Sequence, residues 1–402
     1  MSEPQVIKLE IDDSEVNMLS PPDLTGEGSS SSSSPTTIDT ADENPSPLDS
    51  RPSTPASDAD ENQVEGEEGK PSPKKSPKKK EEKPYSITLI SDKSKVKVGP
   101  FEYLALSIWL GWFGFYFYFT LLLPFLYYYC KTGLTIVIAI LLTSAFYPLD
   151  RSKQPEWGWK LAAWIMQSAE KYFQMRLYCE DYDAVNNAFP AILTTEPHDI
   201  LPVGLCIFSD TIGHFPNHKV RGCLTSACYS IPGMKHIYTW ADATDINKET
   251  IKRLINEGST PTICPGGAHE VTFMTNPKSK ELVLYLKNRL GMVKIAAEYG
   301  IPIIPTFTFN QRNTYDYIVP QWKWLHTLGR KVGFIPLVFF GAGGIPFGQP
   351  HSCPLNMVVG KPVYVPKLGT NVPVEELMKY HQQYLDSIKR IFENNKEQFN
   401  MS

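Results

Sequence analysis

Two long uncharged stretches constrain the fold of this chain more than any other feature. No charged residue occurs in residues 104–130, and after the segment 131–133 the run 134–147 is again uncharged. The first stretch exceeds the roughly 20 residues that a helix needs to cross a bilayer, whereas the second is shorter. The sequence therefore predicts a membrane-embedded helical hairpin over residues 99–150, which either crosses the bilayer twice or dips into one leaflet.

Basic residues flank the predicted hairpin on both sides. Lys93, Lys95 and Lys97 precede it, and Arg151 and Lys153 follow it. Because Lys and Arg near membrane segments are retained on the cytosolic side, we expect both ends of the hairpin to face the cytosol. Both termini of the chain are then cytosolic.

The first 84 residues, here called the tail, differ in composition from the rest of the chain. They contain 9 Lys and Arg against 19 Asp and Glu, which leaves a net charge of +6 for residues 85–402. The tail is rich in Ser and Pro and has too few apolar residues to offset the entropy lost on ordering, so we expect it to be disordered. The mildly basic remainder suits anionic ligands or a membrane surface.

A Ser-Pro-Lys-Lys motif occurs twice near the end of the tail, at residues 72–75 and 76–79. Such a motif is compatible with nucleic-acid binding, a nuclear address, phosphorylation or contact with anionic headgroups, and a solvated charge run is the alternative. The membrane segment that follows within about thirty residues favours the headgroup interpretation. We therefore expect membrane lipids, and no nucleic acid, among the partners.

The seven cysteines are scattered and form no Cys-x-x-Cys pair, which is typical of free thiols in a reducing compartment. A group of two histidines and two cysteines, His214, His218, Cys223 and Cys228, lies close together in sequence. Its spacing matches no familiar zinc motif. We expect no metal.

After the hairpin, the pattern becomes that of an α/β domain over residues 151–402. Apolar runs bounded by Gly and Pro predict buried strands at residues 191–194, 262–264, 303–309 and 357–359. Four helices are predicted between and after them. They are an amphipathic helix over residues 157–176 lying on the membrane surface, a helix around Ile251 capped by Asp245 or Asn247 and closing at Gly258, a helix over 293–299 closing at Gly300, and a last helix over 373–392.

Polar residues around one histidine indicate a candidate general base. The segment Glu196-Pro197-His198-Asp199 lies between two apolar runs, so it is expected to open into a cleft at the end of a strand. A lone histidine is more often structural. The functional interpretation is favoured by a second polar element after another apolar approach, the segment 265–270, which contains Gly266, Gly267 and Glu270.

The order of these motifs resembles the diacylglycerol acyltransferase type 2 family, which also includes monoacylglycerol and wax-alcohol acyltransferases. The resemblance covers about residues 99–398. It rests on Glu196-Pro197-His198, on Pro265-Gly266-Gly267 with Glu270, on residues 287–297 with Ile303-Ile304-Pro305, and on residues 358–362.

The resemblance implies an acyltransferase-type domain, with a mixed sheet flanked by helices, behind the hairpin. It also implies esterification of diacylglycerol by acyl-coenzyme A, a co-substrate, with no cofactor. Relatives of this kind reside in the endoplasmic reticulum membrane and move to lipid droplets. A second copy of the chain is a further candidate partner.

The chemistry suggests a role for each matched residue. His198 is the expected general base, with Glu196 and Asp199 beside it. Backbone N–H groups at Gly266 and Gly267 are suited to a tetrahedral oxyanion, and Glu270 either holds the histidine or anchors its loop. Three basic residues are candidates for the coenzyme A phosphates, against the alternative of a solvated helix face. They are Lys287, Arg289 and Lys294.

Two departures from the family pattern affect the choice of acceptor. Asp199 stands where relatives usually have Gly or Ser, and we expect it either to raise the pKa of the His198 imidazole or to narrow the site. The segment 309–313 replaces the usual Phe-Gly-Glu-Asn. Monoacylglycerol, a long-chain alcohol, a lysophospholipid or a weakly catalytic lipid-droplet scaffold remain alternatives.

Overall fold

The structure is a computed structural model of the chain. It describes residues 7–8, 85–147, 149, 154–267, 270–271, 274, 282–287, 289–318, 320, 322, 324 and 337–399. The predicted tail therefore lies outside the described residues apart from strand β1, Ile7–Lys8, which pairs in parallel with strand β8, Leu282–Val283. The Ser-Pro-Lys-Lys repeats also lie outside the described residues.

The two apolar stretches form two consecutive helices, α1 (Pro100–Tyr129) and α2 (Lys131–Phe146). A single residue, Cys130, separates them, and residues 131–133 already belong to α2. By length and composition α1 can cross a membrane, whereas α2 is shorter. The far part of both helices exposes large apolar side chains, namely Leu121, Leu122, Leu123, Phe125, Ile136, Ile138, Ile140 and Leu142.

The first half of α1 packs against the rest of the fold. Ala105 and Leu106 are fully buried, and a Cβ on Gly114 would lie 2.8 Å from the carbonyl oxygen of Phe347. At this close approach only glycine fits. Further along the helix, the Tyr118 hydroxyl donates to the Pro346 carbonyl at 3.1 Å.

The end of α2 returns to the same body. The Lys235 ammonium donates to the carbonyl oxygens of Ala145 at 2.7 Å and Tyr147 at 3.0 Å, which lie at the end of that helix. Carbonyl groups at a helix end lack intrahelical partners, and a cation there also complements the helix dipole. The first half of α1 and the end of α2 are therefore both fixed to the rest of the fold. The exposed apolar residues lie between these two fixed parts in sequence.

The strands form two main sheets and a two-stranded ribbon, in addition to the β1–β8 pair. The five-stranded sheet is parallel in the order β6-β5-β7-β4-β9, and the four-stranded sheet is mixed in the order β10-β13-β3-β2. The fold is α/β, as predicted. The strands are β2 Thr88–Asp92, β3 Arg176–Cys179, β4 Ile192–Thr194, β5 Val220–Leu224, β6 Thr244–Asp245, β7 Thr260–Ile263, β9 Ile303–Ile304, β10 Thr306–Phe309, the ribbon β11 Asp316–Ile318 with β12 Val338–Phe340, and β13 Asn356–Val359.

The strand predicted over residues 303–309 is divided in two. Pro305 has no N–H to donate to a ladder, and β9 on one side of it belongs to the parallel sheet while β10 on the other belongs to the mixed sheet. The Pro305 carbonyl accepts from Gly360 N–H at 2.8 Å. The two sheets are thereby joined through one short segment.

Helix ends follow the local signals of the sequence where those signals are strong. Helix α7 begins after Asn247, whose side chain accepts from Thr250 N–H at 2.7 Å, so Asn247 rather than Asp245 is the cap. Helix α8 ends at Gly300 with φ +73°, as predicted. Among the described residues, the helices after α2 are α3 Glu156–Tyr172, α4 Tyr182–Asn186, α5 Ser226–Ser230, α6 Met234–Trp240, α7 Lys248–Asn256, α8 Gly291–Tyr299 and α9 Val374–Asn395, with 3₁₀ helices at Val203–Phe208, Gln311–Thr314 and Ala342–Gly344.

The predicted amphipathic helix over residues 157–176 is too long at its C-terminal end, because Arg176 begins strand β3. In α3 the residues Ala162, Ile165 and Ala169 are fully buried in the core against α1. Trp157 on the opposite side is 60% exposed. The helix is thus a core element with one accessible side.

Strands β4 and β7 position the candidate site. They are parallel neighbours, and Leu193 pairs with Thr262. Because both chains leave the sheet at the same edge, the segment after β4, which contains His198, meets the segment after β7, which contains Gly266. Ligand sites of parallel α/β sheets lie at this carboxyl edge.

Candidate active site

His198 is the one accessible residue in a buried segment. All of residues 191–200 are buried except His198, which is partly exposed. Strand β10 holds the backbone of this segment in place. Glu196 N–H donates to the Thr306 carbonyl at 2.9 Å, and Thr308 N–H donates to the Glu196 carbonyl at 2.7 Å. The segment therefore presents a single side chain to an incoming molecule.

The backbone, not a carboxylate, orients the imidazole. His198 Nδ1 lies 2.7 Å from the carbonyl oxygen of Asp199, and a carbonyl can only accept a hydrogen bond. The neutral ring therefore carries its proton on Nδ1 and has a lone pair on Nε2. Asp199 reaches this position with φ +50°, in the left-handed region. Burial lowers the pKa of His198, which keeps the ring neutral.

The Asp199 carboxylate faces Arg312, so the prediction that it pairs with the imidazole is wrong. Its Oδ1 lies 3.9 Å from Arg312 Nε, and only 3% of the residue is exposed. Burial raises the Asp199 pKa to about 6 although the nearby guanidinium lowers it. Among the residues that the structure describes, no hydrogen-bond donor contacts either carboxylate oxygen.

Glu270 anchors the loop that contains the histidine. Its Oε2 accepts from His198 N–H at 2.7 Å, and its Oε1 accepts from Tyr285 N–H at 3.1 Å. Both of these contacts go to backbone N–H groups, and neither goes to the imidazole. Burial raises the pKa of Glu270 to about 8, although these two hydrogen bonds lower it.

Glu196 accepts a hydrogen bond from Gly266 N–H, one of the two donors predicted for an oxyanion. Gly266 N–H donates to Glu196 Oε1 at 3.3 Å, and a Cβ on Gly266 would overlap the Glu270 carboxylate. Gly266 is therefore required by space, and in this arrangement its N–H is engaged within the protein. The oxyanion role of Gly266 and Gly267 remains a prediction. Burial raises the pKa of the Cys264 thiol, and the Gly267 N–H opposes this rise in part.

Glu196 and Glu270 share a buried site. Burial and the neighbouring Glu270 carboxylate raise the pKa of Glu196 well above its ordinary value. Two carboxylates so close together cannot both be ionised at low cost, so the pair holds at least one proton near neutral pH. Glu270 faces two N–H donors where Glu196 faces one, so Glu270 is the carboxyl that ionises first.

Cys264 is the nearest thiol to this pair and is poorly suited to covalent catalysis. Its Sγ donates to Glu196 Oε2 at 3.7 Å. Burial raises the thiol pKa well above its usual range, and the two neighbouring carboxylates raise it further. A nucleophilic cysteine needs a thiolate, which these surroundings disfavour.

Of the three predicted basic residues, Arg289 is the one that the contacts below connect to the site. Arg289 has its guanidinium carbon 4.7 Å from the centre of the Tyr285 ring, and the Tyr285 backbone contacts Glu270. Lys287 and Lys294 are exposed, the latter on α8. His269, the alternative base, lies outside the described residues.

The sequence reasoning gave no role to one buried polar residue at the site. Gln311 lies two residues after the end of strand β10, and its side chain donates to a backbone carbonyl of the histidine segment. The signal available was a polar residue that directly follows a buried strand, Phe309 with Asn310, at the junction of the two sheets.

Comparison with known proteins places these residues in context. The sequence model of the family described as diacylglycerol acyltransferase matches residues 126–402. Diacylglycerol O-acyltransferase 2 of Mus musculus is 28% identical over 222 residues, which cover 51% of this chain and 56% of that protein. The Xenopus laevis protein of the same name is 26% identical over 295 residues, 67% of this chain and 78% of that one. The chain thus spans little more than half the length of the mouse relative.

A solved structure also has a weak likeness to this chain. The 1-acyl-sn-glycerophosphate acyltransferase of Thermotoga maritima aligns with a TM-score of 0.33 and 12% identity, covering 69% of this chain and 95% of that one. A likeness at this level supports no functional conclusion.

Proposed function

We propose that this chain, which belongs to the diacylglycerol acyltransferase family, transfers an acyl group from acyl-coenzyme A to the free hydroxyl of diacylglycerol. One observation carries the chemical part of the proposal. His198 is partly exposed in a buried loop, with its Nδ1 proton bound to the Asp199 carbonyl and its Nε2 available as a proton acceptor. A neutral imidazole held in one tautomer is a suitable general base.

The reaction needs a base because an alcohol is a poor nucleophile near neutral pH. His198 Nε2 removes the proton of the acceptor hydroxyl while the hydroxyl oxygen attacks the carbonyl carbon of the thioester. A C–O bond forms, the C–S bond breaks, and the proton passes from the imidazolium to the departing sulfur. The products are triacylglycerol and free coenzyme A. The protonated state of Cys264 favours this direct transfer over an acyl-enzyme.

The acyl donor brings several phosphate charges. Lys287, Arg289 and Lys294 are our candidates for binding them, since all three precede or begin α8. Arg289 is the best supported, because its guanidinium lies over Tyr285 and is thereby held near the anchored loop. Guanidinium groups bind phosphate in a bidentate manner.

The site is proposed to work at the endoplasmic reticulum membrane, with the catalytic domain and both termini on the cytosolic side and lipid droplets as a second location. The exposed apolar part of α1 and α2 supports membrane insertion. A substrate such as diacylglycerol is dissolved in the membrane, and the hairpin keeps the site close to it.

The decisive experiment is an acyl-transfer assay on the purified full-length protein in lipid nanodiscs. Labelled acyl-coenzyme A is supplied with diacylglycerol, monoacylglycerol, a long-chain alcohol or a lysophospholipid, and diacylglycerol is expected to give the dominant product. His198→Ala should lower the rate at least about a hundredfold, since general-base contributions start there. His351→Ala is the matched control, because His351 pairs with Asp316 away from the site.

Two results would contradict the proposal. Retention of more than about a tenth of the rate by His198→Ala would remove His198 from the mechanism. Preferred acylation of another acceptor in the panel would replace diacylglycerol as the substrate while leaving the chemistry intact.

A further inference from the structure

Gln311 binds two separate parts of the backbone around the candidate base. Its Nε2 donates to the carbonyl oxygen of Pro197 and lies 3.4 Å from that of His198. Its Oε1 accepts from Gly204 N–H at 2.9 Å. One side chain therefore joins the residue before His198 to the 3₁₀ helix at Val203–Phe208 that follows it.

These contacts need a side chain that carries one donor and one acceptor, which an amide does at every pH. A carbonyl must receive a donor and an N–H must receive an acceptor, and an amide offers one of each on the same planar group. The surroundings leave little space for another arrangement. Gln311 is 2% exposed, and a Cβ on Gly204 would lie 2.8 Å from Thr308 Cγ2 and 3.0 Å from Gln311 Oε1.

The contacts of Gln311 act on the backbone that carries the candidate base, His198. The carbonyl of Pro197 belongs to the peptide unit that carries the His198 N–H, and that N–H donates to Glu270. The peptide is thus held at both ends, by Gln311 on its oxygen and by Glu270 on its nitrogen. Such a clamp fixes the orientation of the Cα–Cβ bond of His198, and with it the direction of Nε2.

We propose that Gln311 is a positioning residue for His198, which holds the imidazole in the direction required for proton transfer. The inference rests on the proposed function, because it concerns the same base. Misplacement of a catalytic group by about 1 Å lowers rates strongly while substrate affinity is retained. Loss of Gln311 is therefore expected to act on kcat and to spare KM.

The first variant is Gln311→Met, which retains the length of the side chain but removes both hydrogen bonds. We expect kcat to fall roughly tenfold to a hundredfold, as for loss of hydrogen bonds to buried partners, with the KM for acyl-coenzyme A changed less than about twofold. The control is Gln167→Glu, since Gln167 is exposed and its amide donates to the Thr211 carbonyl at 3.1 Å.

The second variant, Gln311→Glu, tests the hydrogen-bond polarity. A protonated carboxyl can still donate to the Pro197 carbonyl, whereas a carboxylate repels it. The charged groups in and around the histidine segment that Gln311 contacts are Arg312, which favours the carboxylate, and Asp199, Glu196 and Glu270, which disfavour it together with burial. The ratio of the variant rate to the parent rate should therefore fall about tenfold or more from pH 6 to pH 9, and recover on return to pH 6.

A third measurement does not need acyl transfer. Diethyl pyrocarbonate modifies accessible neutral histidines, and mass spectrometry can follow the modification of His198 alone. Its rate should change several-fold in Gln311→Met and stay at the parent value in Gln167→Glu. If both Gln311 variants match the parent in kcat, pH ratio and His198 modification, the positioning role is overturned. Failure of the proposed function is distinguishable, because it would abolish transfer in the parent while leaving the modification test valid.

Discussion

Replacement of Asp199 by Asn should change how the stability of the protein depends on pH. Asp199 is 3% exposed, and burial raises its pKa from 3.8 to about 6 in the folded state. The folded protein then binds a proton at a pH where the unfolded chain has lost it. Between about pH 4 and pH 6 the stability of the parent falls as the pH rises, and above pH 6 the loss is complete.

The size of the effect follows from the pKa shift. About two units at 1.36 kcal/mol each give a loss of about 3 kcal/mol in the parent above pH 6. Asn has the same shape but does not titrate, so Asp199→Asn escapes this loss. A folded part of about 300 residues has an unfolding entropy of roughly 0.6 kcal/mol per degree, so the difference in Tm corresponds to about 5 °C.

The assay is thermal unfolding of the parent and Asp199→Asn in the same detergent from pH 4 to pH 8. Any fixed cost of burying the amide is equal at all pH values, so the observable is the change in the Tm difference with pH. The difference should rise by about 5 °C in favour of the variant, most of it between pH 4 and pH 6.5. Asp316→Asn is the control, because the Asp316 side chain is 79% exposed.

A Tm difference that is constant across the range would refute this account of Asp199. The activity profile gives a second check, because the carboxylate faces Arg312 while the imidazole binds only the backbone carbonyl of Asp199. The acidic limb of kcat/KM should therefore be unchanged in Asp199→Asn. Activity of Asp199→Asn that extends to lower pH would instead support the predicted pairing of Asp199 with the His198 imidazole.

Three other variants or probes follow from the site and the hairpin. Glu270→Gln can accept from His198 N–H or from Tyr285 N–H but not from both, so kcat should fall about 5- to 150-fold, the range for one unsatisfied buried donor, in steady-state assays. Arg289→Ala should raise the KM for acyl-coenzyme A at unchanged kcat, and equal KM values would exclude phosphate binding there. Cys130, the exposed cysteine between α1 and α2, should react with an impermeant maleimide only from the luminal side of sealed vesicles if the hairpin crosses fully, and from neither side if it ends within one leaflet.

Sequence reasoning succeeded where the determining interactions are local. The uncharged stretches predicted α1 and α2, and Gly300 and Asn247 marked helix ends through contacts within a few residues. It also brought His198 and Gly266 together, since the carboxyl ends of two buried parallel strands meet at one edge of a sheet.

Reasoning from sequence failed where backbone groups compete with side chains. The motif placed two carboxylates beside His198, but the imidazole binds a carbonyl and the carboxylates serve N–H groups or Arg312. Gln311 lies 114 residues from Pro197 in sequence, and no local pattern predicts that contact. Which of several nearby acceptors a donor uses depends on loop geometry that the residue types do not specify.

The buried carboxyls around one histidine have a common physical explanation. An ionised carboxylate beside the imidazole would raise its pKa and leave less neutral base at neutral pH. Here burial raises the pKa of both Glu196 and Glu270, and Glu270 uses both oxygens on backbone N–H groups. Little negative charge is therefore left on these two carboxyls at neutral pH. Burial can then keep the pKa of His198 low, which is the state required of a base that receives a proton from an alcohol.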